Sequence, residues 1–329
     1  MTMLRDEVLA LLKAQGGAPL SGEAMSQKLG VSRAAVWKAM EGLRQEGYVI
    51  SSAPRRGYAL EASPDLLSPG ELMNPDRRVG SRLVCLDTVD STNNEVKRRA
   101  VDDVPDGLAV VSARQTGGRG RRGRSFVSPP GGLYLSALLR PNCPLEQVSA
   151  LTAWSAVAVC DAVEALCGVR PGIKWPNDVI WEGRKLSGIL TELELEGETA
   201  ALRYVVVGIG VNLTQTEADF GPQVAPVAIS MAQALGRAPR RAEMAAALLD
   251  ALDRLDRDFP GQWDRWLERY RAGCITLGRQ IKVVRGSEER IGRAVEVDDQ
   301  FALVVEWADG TREALSSGEV SVRGLLGYV

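Results

Sequence analysis

Leu4, Val8, Leu11 and Leu12 recur at i, i+4, i+7 and i+8, one apolar stripe on a first helix that the Gly16-Gly17 pair ends. Such a stripe needs a packing partner. Ser21 is placed to cap a short second helix that runs to Leu29 and stops at Gly30. Ser32 can cap a third, in which Val36, Met40 and Leu43 face inward before Gly47 ends it. Helix, three-residue turn, helix is the helix-turn-helix pattern. Tyr48-Val49-Ile50 and Gly57-Tyr58-Ala59-Leu60 then bracket Pro54-Arg55-Arg56, predicting a β-hairpin wing with a basic tip. With the third helix in a major groove, Ser32, Arg33, Ala34, Trp37, Lys38 and Arg44 would be offered to DNA, and Arg55 and Arg56 to the backbone or minor groove. A winged helix used only for protein contact is the competing reading.

Pro64-Asp65-Leu66-Leu67-Ser68-Pro69-Gly70 breaks both periods and reads as a linker. Beyond it, strand and helix patterns alternate. Arg82 to Leu86 is a strand, and Thr92 and Glu95, at capping-box spacing, open a helix at its end. Ala109 to Ala113 is a strand that continues to Gln115, and Gly132 to Leu139 is another. Residues 145 to 167 are apolar and alanine-rich at helical spacing, a buried helix. Ile173-Lys174 is broken by Pro176, which leaves Asn177 and Asp178 at the break. Glu182-Gly183-Arg184 is a tight turn before the strand Leu186 to Leu190, in which Gly188 signals close approach of something else. Tyr204 to Val207 is a strand ending in Gly208-Ile209-Gly210-Val211-Asn212. Residues 241 to 271 form two helices, with Trp263, Trp266 and Tyr270 as a core stripe. Short strands then run from Gly278 to Val284, Arg290 to Val297, Ala302 to Trp307, Thr311 to Leu315 and Val320 to Val322, with Asp309-Gly310 as a hairpin turn. The prediction is an α+β multidomain chain divided at 1–62, 63–272 and 273–329.

One stretch fits no element. Gly117-Gly118-Arg119-Gly120-Arg121-Arg122-Gly123-Arg124 cannot pack as a core, so it reads as a loop that brings backbone and guanidinium groups to an anion. Gly118, Gly120 and Gly123 match the dinucleotide fingerprint G-x-G-x-x-G, but Ser125 to Gly132 holds two prolines where the fingerprint requires a helix. No Gly-Lys-Ser/Thr follows, so it is not a Walker A loop either. A mobile cationic loop between two strands, able to close over a phosphate, remains. Ser91-Thr92-Asn93 offers hydroxyl and amide groups that would satisfy a polar, uncharged ring.

Composition narrows the chemistry. The 329 residues contain no histidine, which removes Ser-His and Cys-His nucleophile pairs, imidazole bases and almost all catalytic zinc sites. Cys85, Cys143, Cys160, Cys167 and Cys274 are odd in number and lack Cys-x-x-Cys spacing, so they read as reduced, buried cysteines of a cytoplasmic protein with no metal cluster. No run approaches the ~20 apolar residues of a bilayer span. Net charge is -2, and residues 1–62 carry eight Lys and Arg against six acids, so contact with nucleic acid would rest on a local patch.

Taken together, Ser91-Thr92-Asn93, Gln115 with the arginine loop, Lys174-Trp175-Pro176-Asn177-Asp178, Lys185-Leu186-Ser187-Gly188-Ile189-Leu190 and Gly208 to Asn212 resemble the motif set of biotin-protein ligases. With a winged helix in front, the whole length resembles the bifunctional form, ligase and biotin operon repressor. The resemblance implies a central mixed-sheet catalytic domain of the biotin/lipoate ligase, class II synthetase-like type and an SH3-like β-barrel at the C-terminus. It implies that Ser91, Thr92, Asn93, Gln115, Arg119, Gly120, Arg121 and Lys185 bind biotin, and that Gly118, Arg119, Arg121, Phe126, Asn177 and Asn212 lie at the nucleotide. Lys185, Arg121 and Asp178 would carry the chemistry. Phe126 stands where the family commonly has Trp, which affects nucleotide affinity rather than chemistry. ATP and biotin would be the substrates, with Mg2+ held largely through phosphates. A biotin carboxyl carrier protein, operator DNA and a second copy of the chain would be the partners. Two alternatives stay open: a lipoate ligase on the same fold, which Ser91-Thr92-Asn93 and the arginine loop disfavour, and a ligand-sensing repressor without catalysis, against which Lys185 and Arg121 speak.

Overall fold

The computed structural model describes residues 4–53, 56–101, 106–197, 199, 201–316 and 321–324. At the N-terminus, α1 (Leu4–Ala14), α2 (Gly22–Leu29) and α3 (Arg33–Gln45) pack around Val8, Leu9, Leu12, Met25, Val36, Met40 and Leu43. Both predicted caps form. Ser21 Oγ accepts from Ala24 N at 3.0 Å and Ser32 Oγ from Ala35 N at 3.1 Å, each satisfying a first-turn amide that has no helical partner. Strands β1 (Val49–Ala53) and β2 (Gly57–Ala62) pair as the expected hairpin. Of its tip, Pro54 and Arg55 lie outside the described residues, and Arg56 is exposed. Arg44 departs from expectation. Its guanidinium donates to the Ile50 carbonyl at 2.9 Å and to Glu41 at 2.6 Å, so it braces the wing instead of facing outward.

The linker is docked as well. Ser68 and Pro69 start a short helix, α4 (Pro69–Leu72), because Ser68 caps Glu71 N and proline at the first helical position needs no donor. Gly70 N donates to Asp6 Oδ1 at 3.2 Å, and Lys13 of α1 reaches the buried Glu71 at 2.7 Å.

The central region is built on β3 (Arg82–Val89), α5 (Thr92–Ala100), β4 (Leu108–Gln115), β5 (Gly132–Leu139), α6 (Ala150–Cys167), β6 (Gly172–Lys174), β7 (Asp178–Trp181), β8 (Arg184–Leu195) and β9 (Leu202–Asn212). Two short helices, α7 (Glu217–Phe220) and α8 (Met231–Leu235), lead to α9 (Arg241–Asp258) and α10 (Trp263–Gly273). The seven strands are ordered β3-β4-β5-β9-β8-β7-β6, with β3 and β4 parallel and the other neighbours antiparallel, a mixed sheet. Helix α5 makes the crossover between the parallel pair.

Strand alternation sends Ala109, Val111, Leu133, Leu135, Val205, Val207, Ile209 and Val211 to the face covered by α6 and α9, and Val110, Leu138 and Val206 to the face covered by α5. Tyr134, Ser136, Gly208 and Gly210 therefore share the α5 side. Strand β9 runs unbroken through Asn212, so its two glycines lie inside the strand and not at its end as the pattern suggested. Register pairs Gly210 with Tyr134 on one side and Gly188 on the other, and Gly208 with Ser136 and Leu190. Between Tyr134 and Leu190, the positions Ser136, Gly188, Gly208 and Gly210 leave a strip bare of large side chains beside the apolar patch under α5.

Helix α6, contrary to expectation, is with its preceding turn long and apolar enough by composition to cross a membrane; two thirds of its most apolar window is buried in the core. Trp154 of α6 stacks on Trp266 of α10 at 4.6 Å, and Trp266 and Tyr270 are fully buried as predicted.

At the C-terminus β10 (Gln280–Arg285), β11 (Glu288–Val297), β12 (Leu303–Trp307), β13 (Arg312–Leu315) and β14 (Ser321–Gly324) form an all-antiparallel sheet ordered β13-β12-β11-β10-β14, SH3-like in type. Val320 lies outside the described residues. The core of this sheet, from Ile281 to Val322, is continuous with that of the central region. Trp175 joins them: its backbone amide donates to Thr276 Oγ1 and its indole to the Phe301 carbonyl, both at 3.0 Å.

Candidate functional site

A cavity of about 600 Å3 opens over the bare strip, between the first turn of α5, the arginine loop and the β6–β7 break. Its inner end is polar and uncharged. Ser91, Thr92 and Asn93 are each no more than 3% exposed, and the last two are tied to partners distant in sequence. Thr92 donates its backbone N–H and hydroxyl to Gln115 Oε1 at 2.8 and 3.1 Å, and Gln115 Nε2 donates to Ser128 Oγ at 3.0 Å. Ser136 Oγ stands 2.7 Å from Thr92 Oγ1 and 2.6 Å from Asn93 Oδ1. The capping box read from Thr92 and Glu95 does not form, because Gln115 takes the Thr92 groups while Glu95 pairs with Arg98 and Arg99. A Cβ at Gly208 would overlap Asn93 Oδ1, so glycine is what lets the amide sit down on the sheet.

The roof is the arginine loop. No helix follows it; Arg121–Gly123 makes one 3-10 turn with Arg122 at φ 57°. Gly120 N donates to the Arg124 carbonyl at 2.7 Å and Phe126 N to the Gly118 carbonyl at 2.9 Å, folding the loop back on itself. Arg119 extends to Asn94 Oδ1 at 3.0 Å and to Glu192 at 3.3 Å. Arg121 turns inward and donates to Asn177 Oδ1 at 3.1 Å. Burial pulls its guanidinium pKa below the ordinary value, with the neighbouring Asp178 carboxylate acting in the opposite direction. Phe126 lies over the two glycines: a Cβ at Gly210 would come within 2.5 Å of its ring, and one at Gly188 within 3.2 Å.

The outer end is charged. Lys185 Nζ stands 2.6 Å from Asp178 Oδ1 and 5.4 Å from the centre of the Phe126 ring. Asn177 is fixed to β8, its side chain donating to the Ile189 carbonyl at 2.8 Å and its own carbonyl accepting from Ile189 N at 3.0 Å.

The structure thus gathers Ser91, Thr92, Asn93, Gln115, Arg119, Gly120, Arg121, Phe126, Asn177, Asp178 and Lys185 around one cavity. Gly118 and Asn212 do not line it. Gly118 packs beneath the Phe126 carbonyl and Ser128, and Asn212 Nδ2 donates to the carbonyls of Lys185 and Ile229, both at 3.2 Å. Ser136 and Glu192 were missed; a lone serine in an apolar strand was the signal for the first, and the second had none. Pro226 and Val227 also line the wall, the Val227 carbonyl accepting from Lys185 N at 2.7 Å. Far from the cavity, Ser32, Arg33, Trp37, Lys38 and Arg56 are exposed on α3 and the wing, with Arg33 and Trp37 bordering a cleft toward Tyr58.

Residues 85–212 match the model of the Biotin/lipoate A/B protein ligase family, 5–59 an HTH domain and 276–323 the Biotin protein ligase C terminal domain. The chain is 33% identical to the bifunctional ligase/repressor BirA of Bacillus subtilis over 95% of its own length and 97% of the relative's. It is 30% identical to the corresponding protein of Escherichia coli, over 92% of each. Among solved structures, the biotin protein ligase of Aquifex aeolicus in complex with biotin and ATP superposes with a TM-score of 0.64 at 29% identity, covering 74% of this chain and 99% of that one. With the winged helix, the mixed sheet and the C-terminal sheet each in its expected place, the chain belongs to the family of bifunctional biotin ligase/repressors.

Proposed function

We propose that the cavity activates biotin with ATP and passes it to a lysine of a biotin carboxyl carrier protein, and that the winged helix uses the loaded state to repress biotin genes. The supporting observation is one cavity with two chemically different ends: neutral hydrogen-bonding groups at Thr92, Asn93 and Gln115, and fixed positive charge at Lys185 and Arg121. A ring-bearing carboxylic acid laid along it places its carboxylate at the charged end.

A carboxylate oxygen attacks the α-phosphorus and pyrophosphate leaves, giving a mixed anhydride. Lys185 and Arg121 offset the anionic charge that this step brings together. The acceptor lysine then attacks the acyl carbon, an amide forms and AMP departs. No nucleophile of the enzyme is needed, consistent with a chain lacking histidine. Asp178, paired with Lys185 at the charged end, would orient the incoming amine or take its proton. Arg119, Gly120 and Arg121 close the loop over biotin and adenylate, while Phe126, Asn177 and, from behind the wall, Gly118 and Asn212 shape the nucleotide side.

Asp178 is the one carboxylate among the described lining residues and is paired with Lys185, so Mg2+ would be held through phosphate oxygens and water, where it supplies further positive charge. We further infer that the boundaries 1–62, 63–272 and 273–329 mark functional units, that the protein works in the cytoplasm, and that the adenylate-loaded chain is a homodimer presenting two winged helices to two half-sites.

The test is to incubate the purified protein with Mg-ATP and equimolar biotin and lipoate and to identify the bound acyl-adenylate by mass spectrometry. Biotinyl-AMP alone is expected. Lipoyl-AMP would transfer the assignment to lipoate, and absence of any adenylate would leave a pure sensor.

A further inference from the structure

Glu192 of β8 lies behind the inner end of the cavity and does not line it. Three segments converge on its carboxylate. Asn93 of α5 donates its amide to Oε2 at 2.8 Å, Lys97 one turn later donates to Oε1 at 2.6 Å, and Arg119 of the loop stands 3.3 Å from the same oxygen. Burial alone would raise the pKa of this carboxyl, but Lys97, Asn93 and Arg119 together hold it below the ordinary range, so it is an anion at neutral pH.

An ionised carboxylate can only accept. The Asn93 amide must turn Nδ2 toward Glu192, where it also meets the Leu190 carbonyl at 3.3 Å, and this leaves Oδ1 facing Ser136. Ser136 has one hydroxyl hydrogen, and at 2.6 Å Asn93 Oδ1 takes it. Ser136 Oγ is then an acceptor toward Thr92, at 2.7 Å, and Gln115 Oε1 is a second acceptor at 3.1 Å. The Thr92 hydrogen is spent within the protein whichever it chooses. Toward a ligand Thr92 Oγ1 can only accept.

We propose that Glu192 is a positioning residue that sets the direction of the Thr92–Ser136–Asn93 hydrogen-bond chain, and so makes the inner subsite select a ring bearing an N–H donor. This rests on the reading of the cavity as a biotin site, whose ureido ring carries such donors where a dithiolane ring carries none. Glutamine at this position can accept or donate, so only the 3.3 Å bond to the Leu190 carbonyl then opposes turnover of the Asn93 amide and reversal of the chain.

The test compares wild type with Glu192→Gln by calorimetric titration with biotin and with a biotin analogue N-methylated on the ring nitrogen, alongside thermal unfolding and the KM for ATP. Wild type is expected to prefer biotin by roughly a hundredfold, as a site built to pair a substrate N–H rejects the analogue lacking it. Glu192→Gln is expected to bind biotin about tenfold more weakly and to lose most of that preference. Its KM for ATP should stay close to wild type. Losing the counter-charge to Lys97 and Arg119 is expected to lower the unfolding midpoint, so the ratio of the two affinities is the readout that carries the test. A general loss of packing would lower the midpoint and weaken both ligands alike, leaving the ratio intact, and an unchanged ratio overturns the proposal. If wild type bound no biotin at all, the biotin reading and this inference would fall together; if it binds biotin and the ratio survives Glu192→Gln, only the inference falls.

Discussion

Lys185 of β8 and Asp178 of β7 stand with Nζ and Oδ1 2.6 Å apart, an ion pair between paired strands. The side chains are 23% and 15% exposed, so the charges are largely withdrawn from water. A substrate carboxylate or α-phosphate entering the site must compete with Asp178 for the lysine. Removing the cation and removing its partner should therefore have opposite kinetic signatures. Lys185→Ala is expected to slow adenylate formation ~10²-fold or more, by analogy with loss of a single oxyanion donor, while biotin still binds at the inner end. Asp178→Asn should leave adenylation within about tenfold and slow transfer to the carrier lysine more than activation. Single-turnover measurements of the two half-reactions separate them, and equal losses in both steps would contradict the roles assigned.

Arg121 connects the loop to the β6–β7 break through Asn177 at 3.1 Å. A hydrogen bond from a charged donor is worth about 1.5–3 kcal/mol, roughly a ten- to hundredfold change in a rate of opening. Arg121→Gly removes this bond and adds backbone freedom. We expect biotinyl-AMP to escape at least tenfold faster, seen as adenylate accumulating in solution and biotinylating bystander lysines. Retention of the adenylate at the wild-type rate would mean the loop is not a lid.

Gly208 faces Asn93 with no room for a methyl group, since the atom in the way is an amide oxygen held by Ser136 on a helix whose neighbours are packed. Overpacking of this kind costs roughly 1–3 kcal/mol. Gly208→Ala should weaken biotin about ten- to a hundredfold with the fold retained and the affinity for ATP little altered. Calorimetric titration with each ligand checks this, and equal losses for both would show that the strand itself had moved.

What could be read from the sequence follows from which interactions are local. Ser21 and Ser32 were legible as caps because the amides they satisfy lie three residues away. Gly188, Gly208 and Gly210 were legible as a site because strands rarely forgo side chains without cause, even though the strand containing the last two was ended too early. Thr92 and Glu95 misled for the opposite reason: their spacing satisfies a local motif, while Gln115, 23 residues on, takes the Thr92 groups. Asn212 looked like a polar group at a strand end, yet it holds two backbone carbonyls together. Glu192 could not be found at all, since a charged residue on a strand ordinarily faces water and its partner Asn93 is 99 residues away.

Cys160 supplies a pH-dependent term in the core. It is fully buried on α6, and burial pushes its thiol up from 9.0 to about 12. The folded value exceeds the unfolded one, so the stabilisation is complete below about pH 9 and is lost as pH rises through about 12. Cys160→Ala has nothing to titrate. Its deficit in thermal midpoint relative to wild type should shrink between about pH 8 and about pH 10.5. A deficit constant over that interval would show that the thiol does not stay protonated in the native state.

The reading face of the winged helix can be tested by dividing its residues according to what they offer. Lys38 is exposed on α3, and among the described residues Arg33 pairs with Glu23 at 3.6 Å, an exposed contact too weak to stop it reaching DNA. Trp37, between them, is 56% exposed, a large apolar surface on a helix whose Val36, Ala39, Met40 and Leu43 are buried. A lysine that meets phosphate adds affinity without sequence preference, whereas a side chain at a base edge adds preference. Lys38→Ala should weaken binding to all DNA alike and reduce the slope of log affinity against log salt by about 0.9. Trp37→Ala should lower the ratio between the protein's own promoter and unrelated DNA, by about 1–3 kcal/mol if it meets a base edge. Fluorescence anisotropy over a salt series, with biotin and ATP present, measures both quantities for each variant. Unaltered slope and ratio in both variants would move the DNA contact away from α3 and leave the winged helix as a surface for protein.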